Sequence, residues 1–331
     1  MEVTMDTQQR AQSVTDEAHV DAARRAVVRA ASRFSQDETL IGRITVVVQE
    51  LARNLVRHAG GGEVLYHADA RSLEVLAVDK GPGMGNIARC LADSYSTSGT
   101  MGSGLGAIQR MSDRFDVFSA PGQGSGVLAT FDLGGAPLPA MTGGLLAGAV
   151  STAYPGEDYC GDTWAVRGGR VMVCDGLGHG LLAAQASAKA REVFLNHDAT
   201  QTLESLMQQL HRALMSTRGG AISLAEIRPE QGQVLFCGMG NVAGTLVAGR
   251  ARSMVSGNGS VGYRIGRINT FSYPWDDRTL LIMASDGIST RFDLAGYPGL
   301  VMRHPSLVAA LIHRDFRRHN DDATVVVVRH G

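Results

Sequence analysis

The sequence predicts an α+β chain made of two domains with unrelated patterns. The 331 residues amount to about two domains at roughly 150 residues each. Strand-like runs occur in groups with paired helices, which is typical of layered α+β domains and not of a βαβ Rossmann unit. Residues 134–144 are rich in Gly and Pro and carry no charge, which favours a linker. We therefore expect domains at residues 1–133 and 145–331.

The composition excludes several classes of function. Lys and Arg number 31 and Asp and Glu 32, so the net charge of −1 provides no global basic field for nucleic acid or an anionic membrane. The four Cys lie far apart without CxxC spacing, which favours a reducing compartment. Residues 1–10 are polar, unlike a secretory signal, and the longest apolar stretch, 143–154, is shorter than the roughly 18 residues of a membrane span. We expect a cytoplasmic protein.

Hydrophobic periodicity predicts the secondary structure of both halves. In the first half we expect helices at 17–34, 37–58, 87–92 and 105–114, and strands at 63–67, 72–78, 115–119 and 127–132. In the second half we expect strands at 146–152, 163–166, 170–174, 221–227, 233–237, 242–248, 279–284 and 324–329, and helices at 181–196, 202–216 and 305–317.

The first of three motifs that fit a nucleotide site is the pair Glu50 and Asn54. They are four residues apart on the predicted helix at 37–58, so both side chains lie on one face. A carboxylate beside an amide oxygen suits a hydrated Mg²⁺, and the carboxylate could instead orient or deprotonate an attacking hydroxyl. Taken alone, such a pair is more often a solvated helix face.

The other two motifs are rich in glycine. Asp79, Gly81 and Gly83 follow a predicted strand, where a buried Asp can accept a hydrogen bond from the exocyclic amine of adenine and glycines let the backbone pass close to the ring. An ordinary turn is the other interpretation. The last motif opens a helix, whose N–H groups form a phosphate cradle, and no Walker A sequence follows. Its members are Gly102, Gly104, Leu105 and Gly106.

In order and spacing these motifs resemble the GHKL ATPase fold, an α/β sandwich with a Bergerat-type ATP site, over residues 15–133. Segments 47–62 and 93–117 look like the switch-kinase branch of the anti-sigma-factor serine/threonine kinases, the RsbT type. The resemblance implies that Asn54 holds Mg²⁺ and that Asp79 binds adenine. It also implies that the glycines, with Leu105, form the nucleotide loops and that Glu50 is the catalytic base.

Aspartates in the second half lie at the ends of predicted apolar strands. These residues are Asp162, Asp175, Asp286, Asp321 and Asp322. Burying an unpaired charge is costly, so they demand either hydrogen-bonded caps or a cation. Each alone is more often a turn residue. Together they would build an all-oxygen site for Mg²⁺ or Mn²⁺, and two such ions can acidify a water and clamp a phosphoryl group.

Residues 143–331 resemble the SpoIIE/RsbX branch of the PPM-type metal-dependent serine/threonine phosphatases, which implies an αββα sandwich. The motifs GD, DGxGHG, SDG and DDxT occur in the order of that family. His179 lies between two glycines of the second motif. We expect it in a tight turn and not as a catalytic acid.

The second resemblance also implies a role for each aspartate. Asp175 would bridge two metals and take part in catalysis, with help from the carbonyl of Gly176. Asp286 and Asp321 would hold one metal, and Asp162 would serve the other. The family pattern favours Asp321 as the ligand over the aspartate that follows it.

The two resemblances together imply opposite reactions in one chain. We expect a bifunctional regulator of partner-switching signalling that uses ATP and Mg²⁺ or Mn²⁺. Its partners would be STAS-domain anti-sigma antagonists or stressosome-like proteins, phosphorylated on Ser or Thr, and the first helix is a candidate contact for a homo-oligomer. Two alternatives stay open: a phosphatase whose first half only senses ATP or docks partners, and a non-catalytic anti-sigma-type binding protein.

Overall fold

The computed structural model describes residues 7–91, 104–135 and 141–331. The predicted phosphate-loop residue Gly102 lies outside these ranges. Within them, no helix combines the length and the apolar character that crossing a membrane requires.

Packing divides the chain into two compact units that do not follow the predicted boundaries. The N-unit comprises Gln9–Leu138 and Leu294–Arg314. The C-unit comprises Met1–Gln8, Pro139–Asp293 and Asp315–Gly331. A segment from the second half of the sequence, Leu294–Arg314, therefore belongs to the unit formed by the first half.

The first half of the N-unit pairs an antiparallel sheet with helices. Its elements are β1 (Arg10–Val14), α1 (Glu17–Ala31), α2 (Glu38–Asn54), a π-helical turn (Leu55–Ala59), β2 (Gly62–Ala68), β3 (Ser72–Asp79), α3 (Ile87–Leu91), α4 (Leu105–Met111), β4 (Arg114–Ser119) and β5 (Ser125–Asp132). The strand order is β1-β2-β3-β5-β4, with neighbours antiparallel.

Local signals fix the two long helices of the N-unit. Asp16 and Asp37 precede α1 and α2, and their carboxylates accept hydrogen bonds from the main-chain N–H groups of His19 and Leu40. Both helices bury an apolar stripe, including the fully buried Val48, against one face of the sheet. This packing holds the C-terminal end of α2 beside the end of β3.

The described part of the C-unit contains two large sheets, a small two-stranded sheet and paired helices. Its elements are β6 (Leu145–Thr152), β7 (Asp162–Arg167), β8 (Arg170–Gly176), α5 (Leu181–Leu195), α6 (Leu203–Leu214), β9 (Gly220–Arg228), β10 (Gln233–Met239), β11 (Ala243–Ala248), β12 (Arg250–Ser253), β13 (Ser256–Gly257), β14 (Gly259–Ser260), β15 (Arg264–Ile265), β16 (Phe271–Pro274), β17 (Leu280–Ala284) and β18 (Ala323–His330). Helix α7 (Pro305–Phe316) lies between β17 and β18 in the sequence and belongs to the N-unit up to Arg314. One large sheet has the order β13-β10-β9-β8-β7 with β16 beside β10, and the other has the order β12-β11-β17-β18-β6.

Alternation along β8 shows how the layers of the C-unit stack. Val171 and Val173 join the core that contains Leu281 of the second sheet, whereas Met172 and Cys174 join the core formed with α5 and α6. The first sheet is therefore buried on both faces, between the paired helices and the second sheet. This stacking fits the layered sandwich predicted for the second half.

Leu294–Arg314 covers the sheet face of the N-unit that lies opposite α1 and α2. A Cβ added at Gly126 of β5 would lie 2.9 Å from Leu307 and 3.0 Å from Leu311, so α7 packs directly on that strand. The Ser306 hydroxyl also donates a 2.7 Å hydrogen bond to Glu74 of β3. From the sequence, helix α7 is expected in the second domain, because its apolar pattern does not indicate which sheet it covers.

Candidate functional site

A cavity of about 550 Å³ opens in the N-unit, at the end of α2, the end of β3 and the start of α4. This size is ordinary for a small-molecule site. Of the residues predicted for the nucleotide site, the cavity lining includes Glu50, Asn54, Asp79, Gly83, Gly104 and Leu105. Gly81 and Gly106 lie next to lining residues but do not line the cavity themselves.

Asp79 ends β3 and presents its carboxylate to the cavity. The side chain is 9% exposed, and Oδ1 accepts hydrogen bonds from the main-chain N–H groups of Gly81 (2.8 Å) and Ser125 (3.2 Å). Burial raises the pKa of Asp79 above its ordinary value, while these hydrogen bonds oppose the rise. The carboxylate is thus fixed in one orientation, as recognition of a ligand N–H group requires.

The glycines that follow Asp79 are needed for close backbone approach. A Cβ at Gly81 would lie 2.7 Å from the Cβ of Ala59, and a Cβ at Gly83 would lie 2.1 Å from the carbonyl oxygen of Ala120. Gly83 also has φ +73°, a conformation that side chains disfavour. Gly81 therefore shapes the loop, although it does not reach the cavity.

Glu50 and Asn54 lie at the C-terminal end of α2, as the four-residue spacing predicts. Glu50 is half-buried and forms an ion pair with Arg53 at 3.8 Å. Directly after Asn54 the helix widens into the π-helical turn, which ends at Gly60 with φ +74°. Such π-helical turns occur frequently at functional sites.

Two exposed arginines and an exposed histidine at the cavity were not predicted from the sequence. Arg57 and His58 lie on the π-helical turn, and Arg89 lies on α3. Arginine side chains that line a cavity suit a ligand that carries phosphates. Only their position in the folded chain identifies them, because the sequence around them has no phosphate-binding motif.

In the C-unit, Asp162 and Asp175 lie side by side on paired strands. They are direct partners across β7 and β8. Asp162 is buried, and its Oδ2 accepts a 2.6 Å hydrogen bond from the hydroxyl of Ser285, which follows β17. The ends of β7, β8 and β17 therefore meet, as the predicted set of strand-end aspartates requires.

Asp286 and Asp321 form a second pair. Asp286 Oδ2 accepts a 2.6 Å hydrogen bond from Nδ2 of Asn241, in the turn between β10 and β11. Burial raises the pKa of Asp321, and the charge of Asp286 raises it further. The two carboxylates are thus close enough to repel one another. Asn241 was not predicted from the sequence, which offers no signal beyond its position after a glycine.

Asp322 points away from this second pair. Its Oδ1 accepts a 2.8 Å hydrogen bond from the main-chain N–H of Tyr154, and a Cβ at Gly161 would lie 2.7 Å from its Oδ2. In the described residues, the buried Oδ2 has no hydrogen-bond partner. Burial raises the pKa of Asp322, and the N–H group of Tyr154 opposes that rise.

The aspartates of the C-unit repel one another. Burial raises the pKa of Asp175, and the charges of Asp162 and Asp286 raise it further. Burial also raises the pKa of Asp162, the Ser285 hydroxyl opposes that rise, and the charge of Asp322 adds to it. A divalent cation would relieve this repulsion, and carboxylate oxygens are the ligands that Mg²⁺ and Mn²⁺ prefer.

The donor chemistry of the five aspartates, together with the buried Oδ2 of Asp322, fits a divalent cation. Over the ranges that the structure covers, however, no three acidic, His or Cys side chains are grouped closely enough to hold a metal ion as they stand. The aspartates therefore do not form a preassembled metal site in the described residues. Gly176 is buried in the same corner, where a Cβ would lie 2.5 Å from the carbonyl oxygen of Ala183.

His179 lies beside these aspartates on an exposed turn. Its Nδ1 is 2.9 Å from Glu157, and its ring stacks on Tyr154 with centroids 4.6 Å apart. The flanking Gly178 and Gly180 have φ +84° and +73°. His179 therefore sits in the glycine turn that the sequence predicts.

Both halves of the chain match known families. Residues 14–131 match the histidine kinase-like ATPase domain, and residues 167–331 match stage II sporulation protein E (SpoIIE). The serine/threonine-protein kinase RsbT of Bacillus subtilis (strain 168) is 37% identical over 91 residues, covering 26% of this chain and 68% of RsbT. The phosphoserine phosphatase RsbX of the same organism is 33% identical over 91 residues, covering 26% of this chain and only 45% of RsbX.

A solved structure also resembles part of the chain. It is described as "The bacterial stressosome: a modular system that has been adapted to control secondary messenger signaling" and superposes with a TM-score of 0.52 at 27% identity, covering 56% of this chain and 99% of that chain. The predicted fold class of each half is thus confirmed. The chain belongs to the histidine kinase-like ATPases of the RsbT type in its first half, and its second half matches the stage II sporulation protein E (SpoIIE) domain.

Proposed function

We propose that the chain is a bifunctional regulator of partner-switching signalling. The N-unit phosphorylates Ser or Thr on a STAS-domain partner with ATP, and the C-unit hydrolyses the resulting phosphoester. The observation that carries the proposal is that each unit presents its own set of reactive groups. The N-unit lines a cavity with Glu50, Asn54 and Asp79, and the C-unit gathers strand-end aspartates around Asp175.

In the kinase reaction, the residues at the cavity bind and orient ATP and the partner. The fixed carboxylate of Asp79 would accept a hydrogen bond from the adenine amine, and the amide oxygen of Asn54 would help to hold the Mg²⁺ that accompanies the phosphates. Glu50 takes the proton of the partner hydroxyl as its oxygen bonds to the γ-phosphorus. The bond to the β-phosphate oxygen breaks, and ADP leaves.

In the phosphatase reaction, Asp175, Asp162, Asp286 and Asp321 would hold Mg²⁺ or Mn²⁺. Bound there, the ions would supply an acidified water and a clamp on the phosphoryl oxygens. The residues of the chain keep the donors in place. Ser285 holds Asp162, and Asn241 orients Asp286.

The two activities oppose one another, which bears on the partner. If both act at once on one phosphosite, the net result is hydrolysis of ATP. We therefore expect nucleotide state or partner docking to let one activity dominate, or the two units to act on different sites. The kinase and phosphatase names of the relatives, and the stressosome structure, support a STAS-domain or stressosome-like partner.

The test is a phosphorylation assay with a purified STAS-domain protein, ATP, and Mg²⁺ or Mn²⁺. Wild type is compared with Asn54→Ala and Asp175→Ala, with Asp277→Ala, an exposed aspartate of the C-unit, as the matched control. Asp175→Ala should accumulate phosphorylated partner, and Asn54→Ala should abolish phosphorylation. Equal levels in all four proteins would end the bifunctional proposal.

The same assay separates the two alternatives. Nucleotide binding without phosphate transfer, together with metal-dependent hydrolysis of a phosphoserine peptide, would favour a phosphatase that senses ATP. Failure to bind metal and failure to cleave either the peptide or para-nitrophenyl phosphate would favour a non-catalytic binding protein.

A further inference from the structure

The segment Leu294–Arg314 is fastened to the N-unit at its start, in its middle and at its end. Near the start, Asp116 of β4 accepts hydrogen bonds from the guanidinium of Arg303 (3.3 Å) and the main-chain N–H of His304 (2.7 Å). In the middle, the apolar face of α7 packs on Gly126. The end of the segment is fastened by Arg314, which reaches the nucleotide cavity's supporting loop.

Arg314 follows the packed leucines on the same face of α7. Leu307, Leu311 and Arg314 are spaced by four and three residues, so their side chains point the same way. The Nη1 atom donates to the carbonyl oxygen of Asp79 and, at 3.4 Å, to that of Ser125, while Nη2 donates to the carbonyl oxygen of Gln123 at 2.9 Å. One guanidinium therefore ties the end of β3 to the loop that enters β5.

One of these carbonyl groups belongs to Ser125, whose N–H group also orients the Asp79 carboxylate. Asp79 and Ser125 are direct partners across β3 and β5, and the N–H of Ser125 donates to Asp79 Oδ1. Between them Gly124 has φ +72°, and its Cβ would lie 2.0 Å from the Asp79 carbonyl oxygen. A residue with a side chain does not fit at position 124. The Arg314 guanidinium and the loop that enters β5 therefore hold the Asp79 carboxylate in place together.

The segment also has a special place in the sequence. It begins eight residues after Asp286 and ends seven residues before Asp321, the pair of aspartates expected to hold one metal. Both short connections lead into the C-unit. The segment is therefore joined to each of the two aspartates by a short stretch of chain.

We propose that Arg314 is a positioning residue of the nucleotide site, and that through it the segment Leu294–Arg314 links nucleotide binding to Asp286 and Asp321. The proposal rests on the proposed function of the N-unit as an ATP site. Nucleotide binding that fixes Asp79 also fixes Arg314 and the end of α7. By thermodynamic linkage, a ligand that orders Asp321 then changes the affinity for nucleotide by the same factor by which nucleotide changes the affinity for that ligand.

The first test measures the affinity of the full-length chain for a fluorescent ADP analogue with Mg²⁺. Arg314→Ala should weaken binding about tenfold, because three carbonyl groups lose a charged hydrogen-bond donor. Arg314→Lys should weaken it less. Arg291→Ala removes an exposed arginine just before the segment and should leave the affinity unchanged.

The outcomes of this test separate the two proposals. If wild type binds no nucleotide, the ATP-site proposal and this inference both fail. If wild type and Arg314→Ala bind equally well, only the role of Arg314 is overturned. A thermal melt of each variant is run alongside, and the retained binding of Arg314→Lys distinguishes lost positioning from lost folding.

The second test follows the link to the aspartates by amide hydrogen exchange at constant Mg²⁺. Nucleotide should slow exchange of residues 317–323, which include Asp321, in wild type and in Arg291→Ala. In Arg314→Ala at saturating nucleotide, that protection should be lost. The link would be overturned if nucleotide left the exchange rate of residues 317–323 unchanged in wild type. It would also be overturned if nucleotide still slowed that exchange in Arg314→Ala.

Discussion

The N-unit and the C-unit both bury carboxylates at strand ends, but they satisfy them differently. Asp79 is held by two main-chain N–H groups, whereas Asp175 and its neighbours face one another's negative charge. A carboxylate whose charge is already balanced by fixed donors is suited to select a ligand by a hydrogen bond. A set of carboxylates that repel one another is suited to receive cations. The difference teaches that the surroundings of an aspartate, and not the aspartate itself, decide which ligand it takes.

The largest expected effect tests the repulsion in the C-unit. Asp175→Asn should lower hydrolysis of para-nitrophenyl phosphate on the order of 10³-fold, because it removes the proposed bridging ligand. The same change should raise the melting temperature of the metal-free protein by a few degrees, since an amide needs no proton uptake to avoid the charge that burial and the neighbouring carboxylates disfavour.

The pH dependence of that gain follows from the raised pKa of Asp175. Wild type keeps the proton when folded and loses stability as pH rises through that pKa, whereas the variant does not. The gain should therefore be larger at pH 8.5 than at pH 6. Lower stability of Asp175→Asn at both values, with Asp277→Asn unchanged, would show that the carboxylate is structural and not a cation ligand.

The next effect tests whether α7 stabilises the N-unit. A fragment of residues 1–135 lacks the helix that covers its sheet. Its free energy of unfolding should be about 3 kcal/mol or more below that of the same fragment with residues 294–316 attached through a flexible Gly/Ser linker, because only the longer protein keeps the contacts of Leu307 and Leu311. Urea unfolding measures both, and equal midpoints would contradict the packing described for the segment.

A smaller effect is expected at Asn241, which orients Asp286. Asn241→Ala should weaken Mn²⁺ binding about 10- to 100-fold in isothermal titration, because outer residues that hold a metal ligand typically contribute that much. Asn269→Ala, at an exposed position of the same unit, is the control. Unchanged Mn²⁺ affinity in Asn241→Ala would exclude Asp286 from the metal site.

The smallest effect concerns a buried acid that neither proposed reaction uses. Burial beneath α7 raises the pKa of Glu74 to about 7, although the Ser306 hydroxyl opposes the rise. The folded protein therefore holds a proton that the unfolded chain releases near pH 4.5, and stability falls as pH rises from there to about 7.

Glu74→Gln removes this dependence. The variant should be more stable than wild type by on the order of 2 kcal/mol at pH 8 and about equal to it at pH 4.5. Chemical unfolding at the two pH values measures the difference. Glu230→Gln, at an exposed turn, should change neither value, and a constant difference for Glu74→Gln would rule out its titration as the cause.

The sequence predicts the long elements and the strand-end aspartates because each carries its own signal. An apolar run that ends in Asp, as at Asp79 and Asp175, is readable without a fold. The edge strand β1 cannot be predicted in this way, because its five mostly polar residues form a strand only by pairing with β2. β12 is exposed throughout and was missed for the same reason. Helix α7 was predicted, but its residues from Pro305 to His313 are all buried, so no polar face tells which sheet it covers.

The position of Leu294–Arg314 has a consequence for how the chain responds to proteolysis. A protease that cuts within this stretch would strip the covering from the first sheet and separate Asp286 from Asp321 in the same event. If the chain has the proposed function, one such cut would impair both phosphate addition and phosphate removal, because a single stretch of chain serves both units.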